Sequence, residues 1–188
     1  MSRWLPILLT ALALGALWGI ASWCYPRLPA QFPAHFDGSG TPDRWVQTSP
    51  GEWFLLPIIG TGMALLMSLI AFSLGWFARE YPGLINVPQP KLFRQLAPER
   101  RQRVLAPCAS LLHWVGAWVL ALFSGILWGT FLVATKQAPT LGLWPMFVAM
   151  PLILGGVAWV MWRVRGLILA EWAQQSTEQD QAIARASR

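Results

Sequence analysis

Four stretches of this chain contain no Asp, Glu, Lys or Arg: Trp4–Cys24, Trp53–Ala78, Ala109–Thr135 and Gln137–Trp162. Each is near or above the ~20 residues an α-helix needs to cross about 30 Å of hydrocarbon. A helix on a soluble core would show a polar stripe every third or fourth residue, and these windows show none. Charged residues make up 12% of the whole chain, against roughly 25% in soluble proteins. The pattern predicts an all-α integral membrane protein, a four-helix transmembrane bundle with spans at about 4–23, 53–78, 109–135 and 141–163. Residues 1–176 form one four-span domain in this reading, and 177–188 a mobile cytoplasmic tail. The first apolar run exceeds the roughly 7–15 residues of a secretory signal core, and Trp23 spoils a small-residue cleavage site, so it is expected to stay as an anchor.

Loop cations set the expected orientation. The connection at 79–108 carries Arg79, Lys91, Arg94, Arg100, Arg101 and Arg103, the tail carries Arg163, Arg165, Arg185 and Arg188, and the N-terminus carries Arg3. The opposite side has Arg27, Arg44 and Lys136. Both termini and the basic loop are therefore expected in the cytoplasm of a multi-pass cell-membrane protein, with 24–52 as an extracytoplasmic cap. The high pI follows from this topology and is no argument for nucleic acid. Cys24 and Cys108 fall at opposite ends of their spans, too far apart for a disulfide.

Tryptophans cluster at the span ends: Trp4, Trp23, Trp53, Trp76, Trp114, Trp144, Trp159 and Trp162. Their amphipathic rings suit an interfacial belt. Gly15 with Gly19, and Gly125 with Gly129, are spaced for close helix packing, within the bundle or in a homodimer. Thr61, Ser68, Ser73, Ser110, Ser124 and Thr130 can bond back to carbonyls of the preceding turn. His113 is the one ionisable side chain inside a span. Such a residue is a functional candidate by default, although its place near the cytoplasmic end also suits a structural role.

Within 79–108, Pro98-Glu99 reads as a helix start, with Pro in the first turn and an acid at the positive end of the dipole. A helix along the membrane surface is expected there, with Phe93, Leu96, Val104 and Leu105 toward lipid. Arg94, Arg100, Arg101 and Arg103 would then face lipid phosphates or a cytoplasmic regulator.

The cap is the most specific segment. Pro26 and Pro29 impose extended backbone after the first helix. Gly38 and Gly40 permit a reversal in which Asp37 bonds nearby amides, so the flanks can pair as a short β-hairpin. An isolated hairpin is barely stable, so Phe32, Phe36 and Trp45 are expected to press onto the helices or onto one another.

The cap reads Tyr-Pro-x-Leu-Pro, then Pro-x-His-Phe, then Gly-x-Pro-Asp-x-Trp, carried by Tyr25, Pro26, Leu28, Pro29, Pro33, His35, Phe36, Gly40, Pro42, Asp43 and Trp45. This resembles the domain of unknown function 1648, found in SdpI-like bacterial immunity proteins and in many uncharacterised membrane proteins. The stretches "LINVPQPKLF" and "LAPERR" resemble a cytoplasmic loop that recurs in part of that family. Thr48 stands where many relatives carry Lys, and the chain is shorter than the SdpI immunity protein itself, so immunity does not transfer wholesale.

The resemblance implies non-enzymatic recognition of an extracytoplasmic peptide, for immunity or signal relay, by His35, Phe36, Asp37, Gly40, Pro42, Asp43, Arg44 and Trp45. The competing reading is a structural or interaction subunit in which the same residues merely fold the cap. A metal-dependent enzyme built on His35, Asp37 and Asp43 matches no familiar ligand spacing. An oligomeric pore or transporter lacks charged residues in its spans. No cofactor is expected.

Overall fold

A computed structural model describes residues 4–142 and 144–187. Arg3 and Arg188 lie outside them, as do the side chains of Trp4 and Trp144. The expected membrane architecture is what the structure holds. Among the described residues four helices are long and apolar enough to cross a membrane, and one two-stranded antiparallel sheet accompanies them. In chain order the elements are α1 (Trp4–Cys24), β1 (Gln31–Phe36), β2 (Pro42–Gln47), α2 (Pro50–Trp53), α3 (Leu55–Glu80), α4 (Pro90–Gln95), α5 (Pro98–Ala134) and α6 (Trp144–Ala186). Pro57 falls in the first turn of α3, where a missing N–H costs nothing, whereas Pro107 and Pro151 lie inside α5 and α6.

The chain forms two compact units. The first comprises Met1–Ser68 and His113–Ile153, the second Leu69–Leu112 and Leu154–Arg188. Each contains one of the two cysteines, and both are free thiols.

In the first unit, Leu17, Ala21, Phe32, Trp53, Leu120, Leu127 and Phe131 form a core. Gly60 is required by that packing: a β-carbon there would lie 2.9 Å from a Phe123 ring carbon and 3.1 Å from Leu17. Trp53 corrects an expectation. It is 1% exposed, and its indole N–H donates to the Ala21 carbonyl at 2.9 Å. Tryptophan accepts full burial where its one donor finds a partner, so this ring is a core piece rather than part of a belt. Trp23, Trp76, Trp159 and Trp162 stay exposed, as a belt requires. Thr61 and Ser124 bond back to Pro57 and Leu120 as expected. A β-carbon on Gly15 or Gly19 would meet nothing within 4 Å, so that face of α1 packs against nothing in the described chain.

The second unit overturns the surface-helix expectation. Residues 98–108 belong to α5, which runs unbroken through Pro107. Phe93, Leu96, Val104 and Leu105 are 0–2% exposed and pack with Ala78, Val160, Val164 and Ile168. Their apolar faces are therefore filled by protein rather than lipid. The apolar pattern of α6 ends near Ser176, yet the helix continues to Ala186. That last stretch is rich in Ala and Gln, which favour helix without needing a packed face.

The hairpin and the groove beside it

The turn between β1 and β2 is built on one carboxylate. Asp37 Oδ1 accepts from the Ser39 amide at 2.8 Å, the Ser39 hydroxyl at 2.6 Å and the Thr41 amide at 2.9 Å. These bonds, the Ser39 hydroxyl foremost and then the Thr41 amide, hold the Asp37 carboxyl below its ordinary pKa because they favour the charged form. Gly40 completes the turn with φ +82°, a left-handed conformation natural to glycine. Its carbonyl accepts from the Leu141 amide at 2.7 Å, in the connection between α5 and α6. Leu141 in turn fits against Gly129 of α5, where a β-carbon would come within 2.5 Å of its side chain.

At the hairpin's base, the Thr48 amide and hydroxyl donate to the Ala30 and Pro29 carbonyls. Thr48 thus has a structural task in closing the hairpin. The strands pair Gln31 with Gln47, Phe32 with Val46 and Pro33 with Trp45, then become irregular around His35. That irregularity brings His35 Nδ1 to 2.6 Å from Asp43 Oδ1, with both side chains largely exposed. A carboxylate on Nδ1 fixes the ring and leaves Nε2 as its remaining polar atom. Phe32 goes inward, edge-on to Trp53 at 5.2 Å, while Phe36 is half-buried.

Trp45 does not follow Phe32 into the core. It is 46% exposed and forms, with Pro42, one wall of an open groove of about 410 Å³. The facing wall is Val133, Lys136, Gln137, Ala138 and Pro139, a volume within the ~300–1,000 Å³ range of ligand sites. Lys136, two residues past the end of α5, has φ +60°, at the position where glycine usually follows a helix. Its amide bonds to Val133, and the next two amides bond to Leu132. This second wall was missed from sequence, where 136–140 reads only as a short connection between two spans.

The remaining candidates lie elsewhere. His113 is buried in α5, and its carbonyl accepts from the Thr10 hydroxyl at 3.0 Å. At 1.5 Å per residue it lies roughly 30 Å along the helix from the hairpin end. Three of the four basic-loop arginines are taken up inside the second unit. Arg100 bonds Glu171 at 2.9 Å and Glu178 at 2.7 Å, and Arg103 grips Glu171 with two nitrogens at 3.1 and 3.0 Å. Arg101 donates to the Leu96 and Ala78 carbonyls. Arg94 is exposed and makes no side-chain bond among the described residues. Among the described residues no group of three His, Cys, Asp or Glu side chains could hold a metal ion.

Residues 6–61 match the model of a family described as Domain of unknown function (DUF1648). The match bears out the domain of unknown function read from the cap motif and covers most of α1, the hairpin, α2 and the start of α3. No curated protein and no solved structure matches the chain.

Proposed function

Starting from that family match, we propose that the chain is a non-enzymatic multi-pass membrane protein of the cell envelope whose hairpin recognises an extracytoplasmic peptide. Recognition would serve protection from a membrane-active peptide or relay of a signal. One observation carries the reading: Trp45, a motif residue, is left half-exposed in a groove while its neighbour Phe32 is buried. A half-exposed ring beside prolines offers apolar contact area at little entropic cost, and Lys136 adds a cation for an acidic group or a chain-terminal carboxylate. The distribution of Lys and Arg supports an orientation with the hairpin outside and both termini in the cytoplasm.

The test has two parts. A cysteine at Ser39 in intact cells should react with an impermeant thiol reagent; reaction only after lysis would invert the orientation. Cells expressing the chain are then challenged with a panel of membrane-active peptides. Trp45→Ala and Lys136→Gly, at matched membrane abundance, should each reduce any protection at least several-fold. Protection equal to the parent's in both variants would remove the groove from the mechanism.

A second reading, a purely structural or interaction subunit, has its own support. Asp37 Oδ1 accepts three bonds within the turn, and His35 and Asp43 engage each other. These three cap residues are accounted for by folding alone. The groove residues Trp45 and Lys136 separate the two readings, because neither is needed to close the hairpin.

A further inference from the structure

Apart from the Trp45 groove, the first unit has a narrower crevice of about 210 Å³ beneath β1. Its apolar lining includes Phe36, Leu56, Ile59 and Leu127, contributed by the hairpin, α3 and α5. Two opposite charges, Arg44 and Glu52, also line it. They form no ion pair with each other and no side-chain hydrogen bond among the described residues. Glu52 occupies the third position of α2, where its amide donates to the Ser49 hydroxyl. In a full capping box the carboxylate would return to the cap residue's amide, and here it does not. Both residues are exposed, so two charges of opposite sign stand at the open edge of an apolar slot and leave each other unused.

The volume is below that of a typical small-molecule pocket, so it suits a single chain segment rather than a whole compact ligand. Leu55 and Ile59 beside it are 51% and 45% exposed on a helix long and apolar enough to cross a membrane. A bilayer supplies acyl segments at that position. An arginine fork fits phosphate, and a carboxylate accepts from a primary ammonium.

We propose that this crevice holds one phospholipid with a phosphate–ammonium headgroup, Arg44 binding the phosphate, Glu52 the ammonium, and the apolar slot one acyl segment. The site is independent of peptide recognition at Trp45. Its test is lipid retention by the purified full chain in detergent supplemented with phosphatidylethanolamine, phosphatidylcholine or phosphatidylglycerol, read by native mass spectrometry. Phosphatidylethanolamine should be retained at one per chain, about tenfold over phosphatidylglycerol, which lacks the ammonium, and over phosphatidylcholine, whose ammonium has no N–H to donate. Glu52→Gln should abolish this selectivity, and Arg44→Gln should lower retention of all three lipids. Ile59→Trp should block retention with both charges intact. The melting temperature identifies any variant that is simply misfolded, and Arg44→Lys then replaces Arg44→Gln, weakening retention by losing the fork. Equal retention of the three lipids by the parent, parental selectivity in the folded Glu52 variant, or parental retention in the folded Arg44 variant would overturn the proposal.

Discussion

Leu141 donates its amide to the carbonyl of Gly40 at 2.7 Å, and its own carbonyl occupies the space a side chain at Gly40 would need. A β-carbon on residue 40 would stand 2.2 Å from that oxygen, in a backbone with φ +82°. Gly40→Ala therefore combines a left-handed backbone, about 1–2 kcal/mol for a residue with a β-carbon, with a clash against main chain that cannot swing away. We expect destabilisation of ~2 kcal/mol or more by thermal or denaturant unfolding in detergent. Gly38→Ala, where the added carbon meets nothing within 4 Å, should lose less than ~1 kcal/mol.

Lys136→Gly should move stability the other way. The residue is left-handed at φ +60° in a position glycine fills without strain. Relief of about 1 kcal/mol is partly offset by losing a cation at the helix C-terminus, worth ~0.3–1 kcal/mol. The melting temperature should stay level or rise. A clear fall would show that the lysine side chain holds the connection in place.

The Asp37 turn should give the hairpin an acid-sensitive step. A carboxyl whose folded pKa is depressed contributes stability that is complete above its unfolded value, ~3.9. That contribution is lost as pH falls from there through the lower folded value. Exchange of the Ser39 and Thr41 amides should therefore accelerate below about pH 4, beyond its intrinsic trend. Asp37→Asn should flatten this dependence. Acid acceleration of equal size in the variant would place the sensitive group elsewhere.

Trp53→Ala removes the largest fully buried side chain and the bond to Ala21. The expected loss is ~3–5 kcal/mol, measured as equilibrium unfolding. Trp162→Ala, at a ring 71% exposed, should leave internal packing nearly unchanged and register in a lipid-depth probe such as quenching by brominated acyl chains.

In the second unit, Glu171→Gln should loosen the N-terminal turns of α5 more than Glu178→Gln does. Glu171 serves two arginines and is 16% exposed, whereas Glu178 serves one and is 66% exposed. Amide exchange at residues 101–104, compared in low and high salt, reads the difference. Equal effects would mean that solvent screens both pairs alike.

The spans were legible because an uncharged run longer than twenty residues has few physical alternatives to a membrane helix. The hairpin was legible because Gly38, Gly40 and Asp37 are local turn chemistry. Partner choice was not. Arg100 and Glu171 stand 71 positions apart, so nothing local marks the arginines as already engaged, and they read as lipid-facing. The same distance hid Leu141 and Lys136 from any account of the hairpin. Trp53 sits at a span end and so resembled a belt residue; only its indole donor reaching Ala21, 32 positions back, reveals the burial.

The bond between Gly40 and Leu141 also bears on how the segment Phe36–Pro42 can vary. Amino-acid exchange at Gly38 leaves the contact untouched, since the space there is empty. Adding or removing a single residue is different, because it slides the left-handed glycine away from its fixed seat and puts a bulkier neighbour against the Leu141 carbonyl. This stretch should accept altered spelling far more readily than altered length.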